Sequence, residues 1–307
     1  MNTSNSIIQE IRFPISENES FCFEVKRDDL IDPIVSGNKW RKLEYNLLKV
    51  EELNKTGIIT FGGAFSNHLV ATAKAAQLGG VPSVGVVRGD ELTSDSNPTL
   101  KACTNYGMEL VFVSRAAYSG QCESTYMNDL LMRFPGHYIV PEGGKNYYGM
   151  IGCQHILKET DNDYDHVYLA GGTGTTGAGV LVSSKGKTKV HVISSLKGDF
   201  LYKDIQEMLI LALFDEEIVG DFMERLEVVS DNYFGGYGKV NEELITFIND
   251  VFHQTHLKLD PIYTSKAFFN MISDYKSGKI KSTDKVLFIH TGGLQGAEVW
   301  KGKIDWV

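Results

Sequence analysis

Ser36-Gly37-Asn38-Lys39-Trp40-Arg41-Lys42-Leu43-Glu44-Tyr45 puts a lysine directly after Gly-Asn, at the mouth of an apolar helical pattern (Leu43, Leu47, Leu48). A basic pair, Arg41 and Lys42, follows on the first turn. Helix N-termini favour anions, because free N–H groups and the macrodipole point outward there. Three cations at such an end therefore suggest a larger anion nearby, such as a phosphate. A lysine acting as a nucleophile must also shed its proton near neutral pH. Cationic neighbours and desolvation lower its pKa and free the lone pair for Schiff-base chemistry. Taken alone, the ten residues also read as a solvated basic helix start.

Outward from this stretch, strand and helix alternate. Strands are expected at 57–61, 84–87, 108–113 and 138–140, and helices at 66–78, 97–106, 122–133 and 147–160. Asn97 caps its helix, with Pro98 at the first position. A second series begins with a strand at 166–170 and continues with strands at 189–193, 226–229 and 286–289. Helical spacing appears around 205–213 and from Val240 to Val251. Alternation of this kind implies an α/β fold with parallel sheets covered by helices, in two layers with a cleft between them. The polar 159–165 stretch is the one linker-like segment.

The strand at 166–170 feeds Gly171-Gly172-Thr173-Gly174-Thr175-Thr176-Gly177-Ala178-Gly179. This satisfies G-x-G-x-x-G, and a dinucleotide fold would place an acid at the end of the next strand. Here that strand ends Ile193-Ser194-Ser195, and Asp199 comes later. Threonine hydroxyls and free N–H groups suit a terminal phosphate monoester better. Five glycines in nine residues also exceed what a bare turn needs.

Composition narrows the classes. Thirty-nine acidic against thirty basic residues give a net charge of −9, which argues against nucleic-acid or anionic-membrane surfaces. Cys22, Cys103, Cys122 and Cys153 lack zinc or disulfide spacing, so no metal is expected. No secretory pattern or spanning run is seen, and a cytoplasmic location is the expectation.

A reactive lysine and a phosphate-monoester loop in one acidic α/β chain point to pyridoxal phosphate. SGNKWRKLEY, GGAFSNH, PEGGKN, GTGTTGAG, GGYGK, LDPIYTSKA and HTGG, in that order, resemble the motif series of the D-cysteine desulfhydrase and aminocyclopropane-carboxylate deaminase family. That family belongs to the tryptophan-synthase-β-like, fold type II class of pyridoxal phosphate enzymes. The resemblance implies two three-layer αβα domains with mainly parallel sheets, the cofactor in the cleft between them. The larger domain would comprise 1–47 and 156–307, the smaller 48–155. It also implies a small amino acid as substrate and a homodimer.

Residue by residue, the resemblance makes Lys39 the Schiff-base lysine, with Asn38 oriented toward the cofactor. Lys42 would reach the phosphate, with main-chain N–H groups and hydroxyls of Gly174, Thr175, Thr176 and Gly177. Asn67 matches the side chain that meets the ring hydroxyl. Ser66 matches a hydroxyl beside the substrate carboxylate, and alone would read as a helix N-cap. Tyr237 and Tyr263 match two active-site tyrosines, and His68 is given no catalytic role. The deaminase branch carries a glutamate facing the pyridine nitrogen where this chain has Thr264, and a leucine where it has Thr291. A carboxylate keeps the ring nitrogen protonated and makes a deep electron sink, whereas a hydroxyl shares a hydrogen bond with a neutral ring. The desulfhydrase pattern, with Thr291 at the ring nitrogen, predicts α,β-elimination of D-cysteine or a related β-substituted amino acid. Departures from the family lie at Phe65, Thr175-Thr176 and Leu294-Gln295, near the substrate side and the cleft rim. Alternatives are the ring-opening deaminase, a racemase, a non-catalytic carrier of the cofactor and, more distantly, a dinucleotide oxidoreductase.

Overall fold

The computed structural model describes residues 3–120, 123–160, 163–195, 198–230, 234 and 238–307. The chain opens with an antiparallel hairpin, β1 (Ile8–Ser16) and β2 (Glu19–Lys26). Phe21, Phe23 and Val25 alternate inward while Cys22 stays exposed, the period of a half-buried strand. Pro14 is tolerated in β1 because that strand is the sheet edge and needs no N–H on its open side. After the hairpin comes α1 (Asn38–Glu52), the helix that opens with the quoted stretch.

Four strands then form a parallel sheet: β3 (Gly57–Gly63), β4 (Ser83–Arg88), β5 (Met108–Val113) and β6 (His137–Ile139), in the order β5-β4-β3-β6. Leu69, Val70 and Ala73 of α2 (Asn67–Leu78), with α3 (Pro98–Asn105), cover one face. Tyr118 of α4 (Arg115–Ser119) and Leu130 of α5 (Ser124–Arg133) cover the other, against Ile59, Phe61, Val84 and Val86. Asn97 accepts from Leu100 N–H at 2.9 Å, which makes it the cap its position predicts.

The larger sheet runs β1-β2-β10-β7-β8-β9, with β7 (His166–Gly171), β8 (Lys189–Ser194), β9 (Leu226–Val229) and β10 (Val286–Ile289) mutually parallel. Alternation along β10 divides its core. Leu287 and Ile289 face α6 (Tyr147–Lys158), α7 (Thr175–Ser183), α8 (Phe200–Leu213) and α9 (Glu216–Met223). Val286 and Phe288 face α10 (Glu242–Thr255) and α11 (Thr264–Lys276). Both sheets are thus sandwiched between helices, and α1 and α6 pack on each other where the sheets meet. Beyond the expected elements the structure adds the hairpin, α4, α9 and α11, and α8 begins at Phe200, ahead of the 205–213 expectation. Among the described residues no helix is long and apolar enough to cross a membrane.

Candidate active site

Lys39 is the second residue of α1. Gly37 before it has φ +60°, and a side chain there would begin 2.0 Å from the Thr291 carbonyl oxygen. Only glycine permits that approach, which lets the Asn38 N–H donate to the same carbonyl at 3.2 Å. The start of α1 is thereby clamped to the turn after β10. Lys39 Nζ donates to Asn38 Oδ1 at 2.7 Å, and Asn38 Nδ2 donates to Thr176 Oγ1 at 3.0 Å. One buried amide joins the lysine to the glycine-rich loop.

That loop follows β7, and α7 starts at Thr175 with Gly174 at its N-cap. Gly174, Thr175, Thr176 and Gly177 present the N–H groups that a helix start leaves without intrahelical acceptors. One turn after Lys39, the buried Lys42 donates from Nζ to the Gly143 carbonyl at 3.1 Å. The PEGGKN segment is therefore a wall of the site.

The electrostatics suit a nucleophile. Burial, then the charge of Lys42, pushes the Lys39 amine down to about 7, although Asp260 pulls the other way. Part of the Lys39 side chain nonetheless remains open to the cleft. Burial also lowers Lys42. Arg41 corrects the expectation of three cations facing one anion. It is fully buried and turned inward, with Nε and Nη2 donating to Asp28 at 3.0 and 2.8 Å and Nη2 to Glu159 at 2.8 Å. Its charge is answered by protein carboxylates, which leaves two lysines for the cleft.

From the smaller sheet, Ser66 caps α2, accepting from Leu69 N–H at 3.3 Å. The Asn67 side chain makes no hydrogen bond among the described residues. Its Nδ2 lies 3.6 Å from where a Gly293 side chain would begin, so it reaches toward the turn after β10. His68 is buried with Nε2 2.9 Å from Thr60 Oγ1. Because the Thr60 hydroxyl donates to the Val140 carbonyl at 2.8 Å, it must accept from His68, which fixes the Nε2–H tautomer. Nδ1 is then a lone pair with no partner among the described residues. Burial, with Lys42 and Lys39 nearby, drives His68 down to about 3, so it stays neutral.

Asp260 was not singled out in the sequence, yet it organises the far wall. Its Oδ1 accepts from Ile262 and Tyr263 N–H at 2.9 and 2.8 Å. Its Oδ2 accepts from Thr264 N–H at 2.7 Å and from the Thr264 hydroxyl at 2.6 Å. The same hydroxyl accepts from Asp260 N–H at 2.8 Å. The Thr264 hydroxyl is therefore tied on both its bonds to Asp260, the acceptor for the N–H groups at the start of α11. Tyr263 is held with its ring beside the loop, Cε1 lying 3.7 Å from where a Gly172 side chain would begin. Thr291 is buried at the opening of α1, and its hydroxyl has no hydrogen-bond partner among the described residues. Tyr237 lies outside the described residues. An aspartate four positions before a helix start was the signal for Asp260, whereas nothing local marked the Gly143 carbonyl.

The family model described as pyridoxal-phosphate dependent enzyme matches residues 15–292. The chain belongs to the pyridoxal-phosphate-dependent enzyme family. Pyridoxal phosphate is the cofactor of this family, and the residues gathered here suit it. The Lys39 amine is tied through Asn38 to the first turn of α7 with its unsatisfied N–H groups, Lys42 brings a second amine to the cleft, and the Asn67 amide and Thr291 hydroxyl have no hydrogen-bond partner among the described residues. A Thermotoga maritima protein provisionally named a 1-aminocyclopropane-1-carboxylate deaminase is 32% identical over 295 residues, covering 92% of each chain. An Arabidopsis thaliana mitochondrial protein named as a bifunctional D-cysteine desulfhydrase and 1-aminocyclopropane-1-carboxylate deaminase is 30% identical, over 89% of this chain and 72% of its own. A solved structure of an ACC deaminase homologue superposes with TM-score 0.77, at 24% identity, over 94% of this chain and 89% of the other. That last likeness bears on the fold alone, which is the fold type II arrangement of two helix-covered, mainly parallel sheets.

Proposed function

We propose that this protein catalyses α,β-elimination from D-cysteine or a related β-substituted amino acid, giving pyruvate, ammonia and sulfide. The observation that carries this reading is the state of the two threonines. Thr264, where a ring-opening deaminase would hold a glutamate, has its hydroxyl locked onto Asp260. Thr291 is left with an open hydroxyl, a neutral partner for a ring nitrogen. Neither threonine offers a carboxylate to keep that nitrogen charged, and the nearby Asp260 carboxylate is taken up by three main-chain N–H groups and the Thr264 hydroxyl, so rapid loss of a good leaving group is favoured over ring opening.

When bound, pyridoxal phosphate supplies the electron sink that weakens bonds at the substrate α-carbon. Lys39 would hold the aldehyde, and Lys42 with the N–H groups of Gly174 to Gly177 would hold the phosphate. Asn67 and Thr291 would orient the ring, and Ser66 would meet the substrate carboxylate. Once displaced by the substrate amine, Lys39 would take the α-proton at Nζ, a role for which an amine titrating near 7 is matched. Tyr263, or Tyr237, would give its phenolic proton to the departing sulfur as the carbon–sulfur bond breaks with its electron pair on sulfur and the pair left at the α-carbon closes the Cα–Cβ double bond; water would then hydrolyse the released aminoacrylate to pyruvate and ammonia.

The names of the relatives point both ways, so the decisive measurement is a substrate comparison. Purified protein should release sulfide and pyruvate from D-cysteine and no ketobutyrate from 1-aminocyclopropane-1-carboxylate, with Lys39→Ala inactive on both. Ketobutyrate as the major product would assign the deaminase instead. An inverted amino acid without pyruvate would assign a racemase.

A further inference from the structure

The hydrogen bonds around Lys39 form a directed chain whose far end is a threonine hydroxyl. Lys39 Nζ donates to Asn38 Oδ1 at 2.7 Å, and in its protonated form it can only donate, so the Asn38 oxygen faces it. The Asn38 NH2 group must then face an acceptor, and it meets Thr176 Oγ1 at 3.0 Å. Asn38 and Thr176 are 8% and 4% exposed, so water does not compete for either group. On the other side of Thr176 lies the buried Cys153 thiol, whose acidity Lys42 and the Thr176 hydroxyl both influence. The hydroxyl is the acceptor that satisfies the buried amide NH2 group, so without it Asn38 could keep its oxygen toward the amine only by leaving that group unpaired.

We propose that Thr176 is a positioning residue for Lys39, acting through Asn38: its hydroxyl lone pair holds the amide in the orientation that presents Oδ1 to the lysine nitrogen. This rests on the reading of Lys39 as the attachment point, and adds a task for the Thr176 side chain distinct from phosphate contact. The hydroxyl keeps its own proton, so it would remain able to donate to a phosphate while it accepts from Asn38. A carbonyl oxygen at the lysine stabilises the protonated nitrogen, so losing that alignment lowers the pH at which the nitrogen gives up its proton.

The test is a double-mutant cycle on the holoprotein, reading the pH midpoint of the visible absorption of the lysine-bound cofactor. Thr176→Val, which keeps the main-chain N–H, should lower the midpoint by about half a unit or more, since a hydrogen bond to a charged group is removed at second hand. Thr176→Ser should restore it. In an Asn38→Ala background the valine should add nothing. Thr176→Ala gives the same comparison if valine is not accommodated. A midpoint that Thr176→Val and Thr176→Ala leave unmoved, or a shift that persists in full without Asn38, overturns the inference while leaving Lys39 in place. A visible band that survives Lys39→Ala overturns both readings together.

Discussion

Arg41 and Lys42 are neighbours in the chain and opposites in environment. Arg41 points into the protein, between Asp28 and Glu159, while Lys42 reaches the Gly143 carbonyl at the cleft. With Lys42 close and protein around it, Lys39 should behave as a free base near neutrality. The attachment rate of a neutral aldehyde such as pyridoxal should therefore rise with pH and level off above about 7. A rate still climbing at pH 9 would show an ordinary, solvated lysine. His68 offers a second test at this scale. Its folded pKa of about 3 lies below the usual 6.5, so the unfolded chain binds the proton first. The stability it contributes is present above pH 6.5 and is lost as pH falls toward 3, by at most about 5 kcal/mol for a shift of this size. His68→Gln should flatten that part of the pH–stability curve, measured by denaturant unfolding of the apoprotein.

Among elements, the glycine-rich loop shows how one composition serves two purposes. A side chain at Gly177 would begin 3.0 Å from Val192 Cγ2, and one at Gly179 would begin 2.6 Å from the Met150 carbonyl. These glycines let α7 lie close on β8 and α6, so the surplus over a bare turn is partly a packing requirement and was not all phosphate chemistry. The start of α11 is governed in a comparable way by Asp260, which accepts three main-chain N–H groups and one hydroxyl. Asp260→Ala should cost about 2 kcal/mol of stability, at the upper end of cap losses. It should also raise KM more than the loss of an isolated cap would, because Tyr263 beside the loop is released. Unchanged stability in calorimetry would show that the cap does not hold this wall. The hairpin β1–β2 escaped the sequence pattern for a physical reason. Its outer face is polar and Pro14 interrupts β1, yet Phe21, Phe23 and Val25 carry the period of two.

Over the whole molecule, a buried charge network joins three parts of the chain. Arg41 on α1 binds Asp28 just after β2, and Glu159 at the end of α6, which also accepts from Lys26 at 2.9 Å. Such a network is no guarantee of net stability, but removing one member strands the others. Asp28→Asn should therefore cost about 3 kcal/mol or more in denaturant unfolding. By swinging the start of α1, it should also weaken cofactor retention. A variant as stable as wild type would mean that water or a neighbouring group replaces the lost charge. Against the cost of its burial, Arg41 and Lys26 hold the Glu159 carboxyl down at about 2, so its contribution is present above the ordinary 4.5 and is lost as pH falls from there toward about 2.

Local chemistry alone was enough for much of this protein. The alternation of strand and helix, the caps at Ser66 and Asn97, the lysine after Gly-Asn and the threonine-lined loop all depend on residues a few positions apart. Periodicity and capping act over that range, so they could be read without a fold. Tertiary structure decided which cation faces the cleft, that Thr264 is tied to a cap, and that the Asn38 amide meets Thr176. Hydrogen bonds and charges act over a few ångströms in space, and only folding brings residues 138 positions apart within that distance.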